Sequence, residues 1–192
     1  MYKVTTPPAA EPITLDDLKN HLKIDYSEDD SLIGVMIQAA REYVETYTGR
    51  VLMEQTIQEY YDFFPCSTVT NPRAGIELRF APIKTITAVN YINSNGNTQT
   101  LTASTDYTFD NISEPPRLFP AYGKSWPTNR DQPNAVWIEY VGGYSTASDV
   151  PAVIKQAMLL IIAKMYEQRE DTVKNLPTQS KWLLDTVKIQ NI

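Results

Sequence analysis

The sequence predicts an α+β fold: a helical bundle of N- and C-terminal helices interrupted by an inserted, mainly antiparallel β domain. Three observations carry this. Apolar residues recur at helical spacing before residue 49 and again after residue 149, and they alternate at strand spacing between. The last helical stretch is also apolar well beyond one stripe, so it needs neighbours on more than one side. The expected boundaries are 1–49 for the N-terminal helices, 50–148 for the β-rich domain, and 149–192 for the C-terminal helix and tail.

The first helix opens at Thr14, three residues before Asp17, a capping-box start in which the carboxylate also suits a helix N-terminus. Leu15, Leu18 and Leu22 follow at helical spacing. After the acidic turn at residues 25–30, Leu32, Ile33, Met36, Ile37, Ala40, Tyr43, Val44 and Tyr47 form the expected buried stripe of a second helix. Gln38, Arg41, Glu42, Glu45 and Thr46 are read as its wet face, and Gly49 as its stop.

From Val51 the period changes to that of strands. Thr56, Ile57, Tyr60, Tyr61 and Phe63 are β-branched or aromatic, and residues 76–80 alternate strictly. Ile83, Ile86, Val89, Tyr91 and Ile92 lead into Asn95-Gly96, which marks a hairpin returning through residues 98–101. Residues 107–112 and 135–141 are further strands. The proline-rich stretches 114–120 and 125–127 are read as edge or loop, because each proline removes a ladder donor.

Asp149, two residues before Pro151, is expected to cap the last long helix. Its stripe is Ile154, Ala157, Met158, Ile161, Ile162, Met165 and Tyr166, and Leu159, Leu160 and Ala163 widen it. The helices near 28–48 and 151–169 are expected to pack together. The stretch before Ile13 and the tail 172–192 are expected to be poorly anchored until assembly. Trp182, Leu183, Leu184 and Val187 form a short apolar patch in that tail, so Leu159, Leu160, Ala163, Trp182, Leu183, Leu184 and Val187 are the expected oligomer interface.

Composition excludes several functions. With 17 basic against 23 acidic side chains the formal charge is −6, which disfavours binding driven by phosphate neutralisation. The longest apolar run, residues 157–163, is far shorter than the roughly 20 residues that span a bilayer. Cys66 has no second cysteine to pair with, and Met1-Tyr2-Lys3-Val4 opens no apolar leader, so a protein made and kept in a reducing cytoplasm is expected.

No catalytic, cofactor or metal site emerges. His21 is the single histidine and reads as a partly exposed structural residue. Cys66 has no basic residue near it in sequence to lower its thiol pKa. Asp25, Ser27 and Asp29 have the spacing of calcium ligands, but Asp30 stands where glycine is needed and Met36 where the bidentate glutamate is. Gly142-Gly143 lacks the lysine and third glycine of a phosphate loop. The aromatic set Tyr60, Tyr61, Phe63, Phe64, Tyr91, Tyr107 and Phe109 has few cations interleaved, so it reads as core or subunit interface rather than a base-stacking platform.

Residues 13–25, Glu28 to Ile33, Ala39 to Glu45 and Thr48-Gly49-Arg50 resemble the opening of the tailed-phage head-tail connector (adaptor) proteins. Ala81-Pro82-Ile83, Val89-Asn90-Tyr91, Asn95-Gly96, Tyr107, Trp126-Pro127 and residues 138–144 stand in the order of the longer members. Val150-Pro151, residues 154–160 and residues 166–170 resemble their last long helix. The resemblance implies a non-enzymatic structural subunit that forms a homo-oligomeric ring on the portal protein. It also implies downstream neck or tail proteins as partners, and DNA passing through without sequence-specific binding. It implies a place in the virion neck, no cofactor and no membrane. Members often end in paired leucines followed by arginine. Here Leu183-Leu184 is followed by Asp185, so no contact of that arginine carries over. The alternatives are another head or tail completion protein, or a DNA-packaging-associated binding module.

Overall fold

In the computed structural model, which describes residues 1–65, 75–168 and 178–189, the chain divides into two compact units. One comprises Pro8–Glu54 and Tyr144–Ile189. The other comprises Met1–Pro7 and Gln55–Gly143.

The helical unit contains α1 (Leu15–Leu22), α2 (Asp30–Thr48), α3 (Ala152–Glu167) and α4 (Thr178–Asp185). α1 starts in the expected capping box: the Thr14 hydroxyl accepts from the Asp17 N–H, and the Asp17 carboxylate accepts from the Thr14 N–H. α2 stops at Gly49, whose φ of 72° belongs to the left-handed region glycine tolerates. α3 differs from expectation at its start. Asp149 closes a box with Thr146 around the 3-10 turn Ala147–Asp149, and Pro151 stands at the α3 N-cap.

α2 and α3 share one core through Ile33, Ile37, Ala40, Val44, Ile154, Ala157, Met158, Ile161 and Ile162. The stripe of α2 is rotated from the one read in the sequence. Leu32 and Tyr43 are each 38% exposed and Met36 is half-buried, whereas Arg41 and Glu45 are buried. Ion pairing makes this burial tolerable. Arg41 meets Glu45 at 3.1 Å and Glu11 at 2.8 Å, and the Glu45 carboxylate also accepts from the Leu52 N–H.

The tail is a second departure. Residues 178–189 are docked, with Leu184 fully buried in the helical core and Leu183 and Val187 packed against it. Local amphipathicity reads such a short helix as marginal, but its contacts with α2 and α3 supply the burial it cannot supply alone. Residues 169–177 and 190–192 of the tail lie outside the described residues, as does Cys66.

The β unit contains β1 (Tyr2–Thr6), β2 (Gln55–Tyr61), β3 (Ile76–Glu77), β4 (Ile83–Ile92), β5 (Thr98–Leu101), β6 (Tyr107–Asp110), β7 (Arg117–Pro120) and β8 (Val136–Gly142). One antiparallel sheet has the order β1-β2-β8-β4-β5 and a second has β3-β7-β6. The β4–β5 hairpin turns at Asn95-Gly96, where Gly96 has φ 85° and the Asn93 side chain accepts from the Asn95 and Asn97 N–H groups.

Two expectations are corrected here. The N-terminal stretch is anchored over Tyr2–Thr6, because β1 pairs along β2 as an edge strand. Pro12 and Ile13 are also buried, and Glu11 pairs with Arg41. In the proline-rich stretch 114–120, residues 114–116 are loop as expected, but Arg117–Pro120 form β7, the middle strand of its sheet and not an edge. Pro115 and Pro116 precede the strand and Pro120 ends it, so the interior donors survive and Leu118 is fully buried.

Candidate functional site

The residues expected at a subunit interface separate by burial. On α3, Leu159, Leu160 and Ala163 are half-buried; Leu159 packs against the helical core, and Leu160 and Ala163 lie on the flank turned away from Ile154, Met158 and Ile161. On α4, Trp182 is 68% exposed while Leu184 is fully buried. Leu183 and Val187 cover the core. Leu184 therefore belongs to the folded unit rather than to a surface a neighbour can reach.

Polar contacts fix α4 and the turn after it. The Tyr47 hydroxyl donates to Asp185 at 2.5 Å, and Arg50 Nε donates to the Val187 carbonyl at 2.6 Å. The Ile189 N–H reaches the Thr48 carbonyl at 2.8 Å. Lys188 Nζ lies 4.7 Å from the Tyr47 ring centroid, within cation–π range. The hydrogen bond to Asp185 is the largest cause that pushes the Tyr47 phenol up to about 12, because the carboxylate favours the protonated hydroxyl. These contacts position Trp182 on a rigid element.

Sequence reasoning missed a second surface. On α2, Leu32, Val35 and Tyr43 are 38%, 65% and 38% exposed, and Ala39 is exposed between them. The signal was present: apolar residues occupy more of α2 than one stripe needs, as in α3, but Leu32 and Tyr43 were assigned to the core face.

The acidic turn is tied into the fold. Asp30 pairs with Lys19 at 2.8 Å, and Asp29 accepts from the Tyr166 hydroxyl at 2.7 Å. Among the described residues no three His, Cys, Asp or Glu side chains converge as a metal site, and no helix is long and apolar enough to cross a membrane. His21 lines a groove of about 640 Å³ with Asp17, Asn20, Ser148, Lys155 and Leu159 among its walls. The Lys155 ammonium there donates to the Ala147 carbonyl at 3.0 Å. The Thr14 hydroxyl holds the Asp17 carboxyl below the usual carboxylate range. Of the aromatic set, Phe64 is buried, stacked on Trp126 at 4.9 Å and edge-on to Tyr91 at 5.6 Å. Tyr107 is also buried, and Phe63 remains 68% exposed.

Comparison with known proteins places this architecture. No curated protein matches the sequence. The whole chain superposes on a chain of the "Virion of native gene transfer agent (GTA) particle", with TM-score 0.81 and 20% identity, covering 97% of that chain. It also matches chains of the "Neck of empty GTA particle computed with C6 symmetry" (TM-score 0.79, 19% identity) and the "Neck of native GTA particle computed with C12 symmetry" (TM-score 0.78, 20% identity). Each match covers 100% of this chain and 97% of the other. At these identities the likeness establishes the fold. The family model of the phage gp6-like head-tail connector protein matches residues 12–114, from the end of the proline-rich segment through β6. That match spans more than half of the sequence and contains the capped α1, the rotated α2 and the Asn95-Gly96 hairpin, so the chain belongs to the phage gp6-like head-tail connector family.

Proposed function

We propose that the chain is a non-enzymatic subunit of the virion neck that assembles as a ring on the portal protein, bridges it to downstream neck or tail proteins, and surrounds the channel through which DNA leaves. The observation that carries this is family membership combined with the full-length likeness to chains of necks computed with C6 and C12 symmetry. Charge supports the passage of DNA. Residues 8–54 carry 4 basic against 10 acidic side chains, a composition that repels phosphates instead of capturing them. Leu159, Leu160, Ala163 and Trp182 are the members of the expected interface left accessible to a neighbour, with Leu183 and Val187 lending support from beneath.

The test is removal of the gene from a producing phage, followed by electron microscopy of the particles. The reading expects DNA-filled heads without tails, rescued by the wild-type chain and equally by His21→Ala. Tailed particles without the protein, or retention of DNA by the purified chain with a steep salt dependence, would overturn it; the latter outcome favours a packaging-associated DNA-binding module.

A further inference from the structure

The helical unit shows two apolar faces that its own core leaves open. On α2, Leu32, Val35, Ala39 and Tyr43 stand at i, i+3, i+7 and i+11, the spacing of a helix–helix seam. This seam lies roughly 125° around the helix from the core stripe Ile33, Ile37, Ala40 and Val44, at about 100° per residue. No residue of the core can cover both. On α3, Val153, Gln156, Leu160 and Ala163 repeat the pattern at i, i+3, i+7 and i+10, again turned away from the buried stripe. α4 packs against α3 and carries the exposed Trp182.

The charges beside the two faces differ: the α2 flank is acidic, and the α3–α4 face is mixed. Glu28 and Glu42 flank the α2 seam, and both are exposed. Lys164 flanks the α3 seam and Lys181 stands next to Trp182; among the described residues the acids on that side are Glu167, at the last turn of α3, and Asp185, which accepts from the Tyr47 hydroxyl. Pairing α2 with α2 of another copy sets Glu28 and Glu42 against themselves. Pairing α2 with the α3–α4 face sets Glu28 and Glu42 against a face that offers Lys164 and Lys181, and apolar seam against apolar seam.

We infer that the exposed seam of α2 in one copy receives the α3–α4 face of a second copy, with Val35 and Ala39 against Leu160 and Ala163 and the acidic flank toward Lys164 and Lys181. The inference rests on the ring reading above and specifies the surfaces that build the ring. Two different patches on one subunit make a heterologous contact, the type that closes into a ring rather than stopping at a dimer. Trp182 then acts as a protruding anchor of the contact, the role large aromatics take in subunit interfaces.

The experiment is disulfide trapping on portal-bearing heads, with the full-length chain in a Cys66→Ser background. Val35→Cys combined with Leu160→Cys, and separately Ala39→Cys with Ala163→Cys, are oxidised and run without reductant. The expected result is a ladder of covalent multimers from either pair and none beyond a dimer from any single cysteine. Val35→Asp, at a side chain exposed enough to leave melting unchanged, is expected to lose attachment. Absence of a ladder from both pairs on heads where microscopy shows a ring, or attachment of Val35→Asp like wild type, overturns the seam assignment. Heads on which the wild-type chain forms no ring overturn the underlying reading instead.

Discussion

The Tyr47 hydroxyl donates a 2.5 Å hydrogen bond to the Asp185 carboxylate, joining the last turn of α2 to the end of α4 across 138 residues of sequence. With Leu184 buried one residue earlier, this contact makes α4 part of the folded helical unit.

The contact has a pH signature. The folded-state phenol is raised from its ordinary 10.0 to about 12, so its neutral form is favoured by folding. The stability it contributes is therefore complete below pH 10 and is lost as pH climbs through about 12. Fluorescence of Trp182-containing α4, with Trp126 and Trp137 replaced by Phe, is expected to report an alkaline release step between those values. Tyr47→Phe is expected to abolish that step and to cost about 0.5–1.5 kcal/mol near neutrality. An unchanged alkaline transition in Tyr47→Phe contradicts the assignment.

Leu184→Ala tests whether the docked tail belongs to the core. Removing a fully buried leucine side chain is expected to cost about 2–5 kcal/mol, measured by urea denaturation. Trp182→Ala, at an exposed position, is expected to leave the midpoint nearly unchanged. Equal and small effects of both would show that α4 does not contribute to the stability of the unit.

Arg41 is the buried centre of an acidic group. Burial alone works against its charge, but the hydrogen bond to Glu11 and the charges of Glu45, Glu11 and Glu42 outweigh it and raise its pKa further. Arg41→Ala leaves Glu45 buried without its cation, and the expected loss is about 3–5 kcal/mol. Glu42→Ala, on the exposed side of the same arginine at 3.7 Å, is expected to cost under about 1 kcal/mol. Thermal melts of the two variants separate these expectations.

In the β unit, buried Glu59 accepts from the hydroxyls of Tyr61 and Tyr140, each at 2.6 Å, and from the Arg79 N–H at 3.0 Å. Burial first, then the adjacent Glu59 charge, pushes both phenols well above their usual range, so they remain donors. Glu59→Leu strands the Tyr140 hydroxyl and the Arg79 N–H, whereas Tyr61 keeps the Glu77 carbonyl at 3.0 Å, and the expected cost is about 1–3 kcal/mol for each donor left unsatisfied. Glu59→Gln keeps an acceptor and is expected to lose less. Chemical denaturation followed through the β unit distinguishes the two.

The sequence by itself determined what is decided within a few residues. Thr14 and Asp17 cap α1 with each other, Gly49 ends α2, and Asn95-Gly96 turns the β4–β5 hairpin, because each depends on hydrogen bonds or backbone angles inside one turn. The β-branched and aromatic composition of β2 and the stripe of α3 were legible for the same reason: propensity and a period of 3.6 are local properties. The ordered motifs also disclosed the connector family. Tertiary structure alone decided which face of α2 is buried, since only the arrival of Glu11 beside Arg41 and of the Leu52 N–H beside Glu45 makes two charged side chains acceptable in the core. It decided that β1 pairs with a strand some fifty residues later and that α4 docks on α3 and on the much earlier α2, because the energy of each comes from a surface outside its own segment. The accessible α2 seam follows from the same rotation: burying Arg41 and Glu45 turned Leu32, Val35 and Tyr43 outward.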